Sequence, residues 1–193
     1  VIFSSGSIKH TAVFSLAGSH VTNDISLGLR TPLEEAEKIK KRYGCALTSL
    51  VRKDETIEVP SVGGRKPRAL SRHTLAEIIE PRVEEILSLV QHEIMRTGYG
   101  NLLASGIILT GGSALLEGVA DLAEQIFNVP VRRGIPIGIS GLVDLVNSPM
   151  YATGVGLVLY GSRTMVQSRF KKGEGNIFSK VTHRMKEWIE EFF

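Results

Sequence analysis

Polar and apolar positions change their period several times along the chain, and each change marks an element. Ile8, Ala12, Phe14 and Leu16 stand among polar residues in a segment of strand character, and Ser5-Gly6 before them predicts a hairpin of two opening strands. After Gly18, Val21, Ile25 and Leu29 recur at fourfold spacing, which predicts a helix ending near Arg30. Thr31-Pro32-Leu33-Glu34 then offers a capping Thr, a Pro at the first helical position and a carboxylate that can meet an orphan amide. A second helix is expected from there to about Tyr43, closed by Gly44.

From Leu47 to Leu70 the pattern is mostly polar, with a strand expected at Thr56 to Val59 and a turn at Gly63-Gly64 beside Arg65, Lys66 and Arg68. Thr74-Leu75-Ala76-Glu77 reads as a second capping box, and its helix is expected to bend or break at Glu80-Pro81. Val83, Ile86, Leu87, Val90 and Ile94 continue a helical stripe towards Gly98. Ile107-Ile108-Leu109 is a short apolar run ending in Thr110-Gly111-Gly112, which suits a buried strand feeding a tight turn. A helix from about Ala114 to Phe127 and a strand at Val129 to Val131 complete a β-α-β pattern. Tyr151 to Tyr160 is almost wholly apolar and predicts a buried, closely packed helix.

Residues 161–175 are expected to be a polar, basic linker, and 176–193 a separate amphipathic helix. At about 100° per residue, Ile177, Phe178, Val181, Met185, Trp188, Ile189, Phe192 and Phe193 fall on one arc of roughly 160°. Arg184 and Lys186 lie next to the edges of that arc, where long stems can follow the acyl boundary while their charges reach phosphate. A core-packing or partner helix has the same pattern. The terminal position, the linker, and the use of Trp and Phe point instead to an anionic membrane surface.

Composition narrows the class. With 193 residues, 42% hydrophobic and 22% charged, the chain can bury a core and is not of disordered or fibrous type. A single cysteine, Cys45, allows no internal disulfide and fits a reducing compartment. A net charge of +3 is too small a bias to imply nucleic acid. No run of about 18 apolar residues could cross a bilayer as a helix. The five histidines show no metal-ligand spacing, Ser113 has no base near it in sequence, and Cys45 reads as a buried structural thiol, so no catalytic residue or metal site is expected. The opening at Val1, inside strand-like sequence, reads as the C-terminal part of a longer protein.

The Gly111-Gly112-Ser113 turn lets backbone approach a ligand, and the residues after it present free amides. By itself such a turn equally serves only local geometry. Glu37 and Lys40, three apart on one helix face, can reach one ligand, and equally can form an exposed ion pair.

Together these segments carry a resemblance. Ile108-Leu109-Thr110-Gly111-Gly112-Ser113-Ala114, followed by Leu116-Glu117-Gly118, resembles the adenosine motif of the actin, Hsp70 and sugar-kinase superfamily. Ala36-Glu37-Lys38-Ile39-Lys40-Lys41 matches the Glu-x-x-Lys helix that faces this motif in that superfamily. Within it, Lys40 to Leu47, Glu58 to Arg65, Leu75 to Arg82 and Tyr151 to Leu157 are similar to the FtsA family of bacterial cell-division proteins.

The resemblance implies an α/β, ribonuclease H-like second lobe. Residues 1–30 and 105–160 would form the nucleotide subdomain and 31–104 an inserted α+β subdomain. ATP would be held by Glu37, Lys40, Lys41, Gly111, Gly112 and Ser113. The Asp-x-Gly phosphate motifs of the superfamily do not occur in this sequence, so Mg²⁺ and the phosphates would need residues outside it, and this chain alone is expected not to hydrolyse ATP. At most a weak ATPase is implied for a whole protein. The resemblance further implies self-association into actin-like filaments, divisome partners, and a tether for polymers of tubulin-like FtsZ at the cytoplasmic face of the inner membrane, at the septum. Arg68, Arg82 and Glu85 are the candidates for docking the acidic FtsZ tail. A sugar-kinase-like phosphotransferase and a pilus-assembly adaptor of the same superfamily are the alternatives.

Overall fold

A computed structural model describes residues 1–60, 66–100, 103, 105–141, 143–164 and 184. They belong to two units, Val1–Tyr151 and Ala152–Phe193.

The first unit opens with the antiparallel hairpin of β1 (Ile2–Ser4) and β2 (Ser7–His10). Ser5 and Gly6 both take positive φ, 50° and 73°, the pairing that a two-residue turn needs to match strand twist. The strand character expected over Ala12 to Leu16 is not realised. Pairing stops where Ile2 meets His10, so the residues beyond have no partner strand.

Helix α1 (Gly18–Leu29) buries Val21, Thr22, Ile25 and Leu29 and ends, as the spacing predicts, at Arg30, whose left-handed backbone lets Arg30 and Thr31 close the last turn onto Leu27 and Ser26. Helix α2 (Leu33–Tyr43) starts one residue later than the sequence suggests. Pro32 is its N-cap, and Thr31, buried, donates its hydroxyl to the Pro60 carbonyl at 2.7 Å instead of capping. Acids in its first turn and bases in its last match the helix dipole. Gly44 does close α2, but with extended backbone. Glycine is required there because a Cβ would overlap the Lys40 carbonyl and come 2.8 Å from a Leu116 methyl.

Strands β3 (Thr56–Val59) and β4 (Arg68–Ser71) pair antiparallel; the Gly63-Gly64 turn expected between them lies outside the described residues. Helix α3 (Arg72–Arg96) corrects two expectations. Ser71, not Thr74, is the N-cap, accepting from the His73 amide at 3.2 Å, so the second capping box lies inside the helix. Pro81 does not interrupt it. Leu75, Ile79, Val83 and Leu87 form one buried stripe at fourfold spacing across the proline, while Pro81 and Glu77, whose carbonyl loses its amide partner, face solvent.

Strands β5 (Ile107–Leu109) and β6 (Val131–Arg133) pair in parallel around α4 (Val119–Phe127), the expected β-α-β unit. The helix is shorter than expected. A 3-10 turn over Gly112–Leu115 comes first, and left-handed Gly118 (φ 74°) separates it from α4. Nor is β5 buried throughout: Ile107 and Leu109 face inwards, but Ile108 alternates outwards and is 53% exposed. The short α5 (Val143–Val146) and a 3-10 turn at Pro149–Tyr151 complete the unit. One core joins Val21, Ile25 and Leu29 of α1, Ala36 and Ile39 of α2, the α3 stripe, and Val119, Leu122 and Ala123 of α4.

In the second unit, residues 152–164 are helical and reach into the segment expected as linker. The helix is not buried as expected: Leu157, Val158 and Tyr160 are exposed, because no described element of that unit covers them. The C-terminal amphipathic helix lies outside the described residues except for Arg184, which is helical and exposed.

Candidate functional site

The outer edge of α2 meets the N-terminal turn of α1. Lys40, its side chain only 14% exposed, places Nζ 2.6 Å from Glu37 Oε2, 2.7 Å from Thr22 Oγ1 and 2.9 Å from the Gly18 carbonyl. Those contacts engage all three of its N–H groups. Thr22 also donates to Glu37 Oε2 at 2.5 Å, and Lys41, largely exposed, lies 3.2 Å from Oε1. Burial pushes the Glu37 carboxyl upwards, but hydrogen bonds from Lys40, Thr22 and Lys41 outweigh it and hold the group down at about 2. Glu37 is therefore held as a carboxylate, its side chain 35% exposed and its Oε1 beside the largely exposed Lys41.

Facing this edge is the glycine turn. Its entry is braced by Thr110, whose hydroxyl lies 3.1 Å from the Gly134 carbonyl and 3.2 Å from that of Pro149, and by the Gly111 amide, which donates to Pro149 at 2.9 Å. Gly111 has φ 88°, a conformation that L side chains rarely adopt. Neither Gly111 nor Gly112 has a heavy atom within 4 Å of where a Cβ would stand, so the backbone there is open to a ligand. Ser113, the next residue, is exposed, and its Oγ packs against Gly18, 2.6 Å from where a Cβ on Gly18 would stand.

The structure thus brings Glu37, Lys40 and Lys41 to one side and Gly111, Gly112 and Ser113 to the other, with Gly18 between them. Sequence reasoning missed Gly18 and Thr22. Their spacing of four, at the start of an amphipathic helix, is the available signal, and the apolar stripe Val21, Ile25 and Leu29 beside it masks it.

The other candidates lie elsewhere, Arg68 at the start of β4 and Arg82 and Glu85 on α3. Arg82 donates through Nε to Asp24 at 2.5 Å and through Nη2 at 3.3 Å, and it also pairs with Glu85 one turn on. Arg68 donates to the Leu29 carbonyl at the end of α1, the helix that also carries Asp24. Both cations are thus engaged with α1. Cys45 is fully buried, its thiol donating to the Leu47 carbonyl at 3.1 Å, and burial raises its pKa. His10 meets Glu93 at 2.9 Å, and the His20 ring accepts the Ala17 amide at 3.2 Å. Among the described residues no group of His, Cys, Asp and Glu could hold a metal.

A family model described as "Cell division protein FtsA" matches residues 1–156. The chain belongs to the FtsA family. The FtsA of Pseudomonas aeruginosa is 48% identical over 198 residues, covering 100% of this chain and 48% of that protein. The FtsA of Escherichia coli K12 is 45% identical over 196 residues, covering 98% and 46%. The chain therefore spans about half the length of the FtsA relatives it matches. Among solved structures, MreB 5 of Spiroplasma citri, bound to AMPPNP, superposes with a TM-score of 0.63 at 18% identity, over 88% of this chain and 50% of that one. At that identity the likeness concerns the fold, which mixes helix and sheet as expected.

Proposed function

We propose that this chain is the second, adenosine-holding lobe of an actin-like FtsA scaffold that carries FtsZ polymers to the membrane during division. The observation that carries the reading is the approach of a fixed carboxylate edge to an open glycine turn, two motifs separated by about seventy residues of sequence and joined at Gly18. The residues fit the adenosine end of ATP. Glu37 Oε1 can accept from ribose hydroxyls, Lys41 beside it supplies a mobile donor, and the bare backbone at Gly111 and Gly112 admits a flat ring at contact distance. Lys40, with its donors engaged, holds Glu37 in place from behind. ATP would supply a stabilising ligand for assembly; the phosphate and Mg²⁺ contacts fall to residues outside this sequence. Membership of the FtsA family and the fold shared with an AMPPNP-bound MreB support the reading.

The test is Gly112→Val in the full-length protein. A Cβ at this position meets nothing, so the variant keeps its fold, while the branched side chain occupies the ligand's approach. ATP affinity is expected to drop about tenfold, roughly 1.4 kcal/mol, in a titration with a fluorescent ATP analogue. Wild-type affinity in the folded variant overturns the assignment.

A further inference from the structure

Behind the candidate cleft, the chain leaving α2 meets the chain leaving the glycine turn. The Ala46 amide donates to the Glu117 carbonyl at 2.8 Å, Cys45 and Glu117 form a parallel bridge, and Leu116 packs on Gly44. Gly118, left-handed and buried, rests against Leu47 and Leu50. Across this knuckle lies Arg72, the first residue of α3, with its side chain 17% exposed. Its Nε donates to the Tyr43 carbonyl at 2.9 Å, at the end of α2; its Nη2 pairs with the Glu117 carboxylate; its Nη1 meets Glu55 at 2.7 Å. One guanidinium therefore grips the element bearing Glu37 and the segment that follows Gly111–Ser113. Its planar fork can do this where a single ammonium cannot.

We propose that Arg72 is a positioning residue for the nucleotide cleft: by holding Tyr43 and Glu117 together it sets the gap between the Glu37 edge and the glycine turn. This rests on the adenosine reading above. Arg72 touches no ligand; it acts through the knuckle. Glu117 is the informative partner, because its side chain is 51% exposed and its backbone bridge to Ala46 survives truncation. A merely structural ion pair at such an exposed site would move stability a little and ligand binding not at all.

The experiment compares Glu117→Ala, Glu117→Gln, Arg72→Lys and Glu37→Gln in the full-length protein, measuring the Kd and bound-state anisotropy of a fluorescent ATP analogue beside the thermal midpoint. Glu117→Ala is expected to weaken binding about three- to tenfold and to lower the anisotropy, with the midpoint little changed. Glu117→Gln, which can still accept from Arg72, is expected to recover part of the affinity, and Arg72→Lys to behave like Glu117→Ala. If Glu37→Gln weakens binding while Glu117→Ala leaves Kd and anisotropy at wild-type values, the positioning role is overturned and the adenosine site stands. If neither variant affects binding, the site reading itself fails. A loss of affinity in Glu117→Ala that only tracks a loss of thermal stability also overturns the positioning role.

Discussion

Glu37 carries a charge that burial opposes and three neighbours stabilise, so its ionisation is coupled to folding. Its folded pKa, about 2, lies below the ordinary 4.5, so the carboxylate contributes stability that is complete above about 4.5 and is lost as pH falls through 2. With the side chain 35% exposed, screening reduces the contribution to about 1 to 2 kcal/mol. Glu37→Gln should lose that amount in denaturant unfolding at pH 7, and the difference from wild type should shrink as the pH is lowered from 4.5 towards 2. A constant difference over that range would place the effect in packing. The Glu-x-x-Lys spacing was legible in the sequence. That Lys40 spends its donors on Gly18 and Thr22 was not, because both lie on another helix and only packing brings them within reach. The same holds for Arg82. It stood out as a candidate cation for an acidic tail, yet Asp24, distant in sequence, already shares it with Glu85. If Arg82 takes part in docking an acidic tail, as the resemblance implies, the tail's carboxylates would have to compete with or join these acids. Arg82→Gln, which avoids placing a third carboxylate beside Asp24 and Glu85, should weaken an acidic FtsZ-tail peptide several-fold and flatten its salt dependence. Equal affinity in a peptide titration would remove Arg82 from the contact.

At the scale of elements, α3 shows where local rules give way to packing. Pro81 removes one intrahelical hydrogen bond and disfavours helical backbone before it, which is why the sequence predicts a break. The buried stripe Leu75, Ile79, Val83 and Leu87 keeps its register on both sides, and the group left unpaired, the Glu77 carbonyl, belongs to an exposed residue that water can reach. The helix start shifts for a related reason. Ser71 is the last residue of β4 and pairs with Thr56 of β3, so α3 begins where β4 ends, with its N-cap three residues before Thr74. If the proline is tolerated rather than needed, Pro81→Ala should stabilise the protein by about 1 kcal/mol, the helical gain exceeding the lost stiffness of the unfolded chain. Thermal melting reads this out, and a lower midpoint would show that α3 depends on the geometry Pro81 imposes. The parallel β5-α4-β6 unit, by contrast, was legible because apolar runs, a glycine turn and strand length agreed. Its early 3-10 turn was not, since Gly118 looks like any helix-interior glycine until its φ is known.

For the whole molecule, the scaffold reading requires a link to the membrane. Among the described residues no helix is long and apolar enough to cross a bilayer. We propose a different means, read from the sequence pattern. As an amphipathic helix, Ile177 to Phe193 would be too short to span but long enough to lie in the interface, where Trp188 and its Phe neighbours would each contribute about 1.5 to 3 kcal/mol on burial. Glu187, Glu190 and Glu191 offset much of the local positive charge, so attachment should depend more on the apolar face than on lipid charge. Trp188→Glu sets a carboxylate in the middle of that face. In the full-length protein it should abolish co-sedimentation with liposomes while leaving thermal melting and ATP affinity unchanged, because the core of the first unit and the Glu37 cleft draw on residues before 152. Vesicles lacking anionic lipid should still bind the wild-type protein, only more weakly. Co-sedimentation of Trp188→Glu at the wild-type level would mean that this face packs on protein, and the tether would have to lie elsewhere.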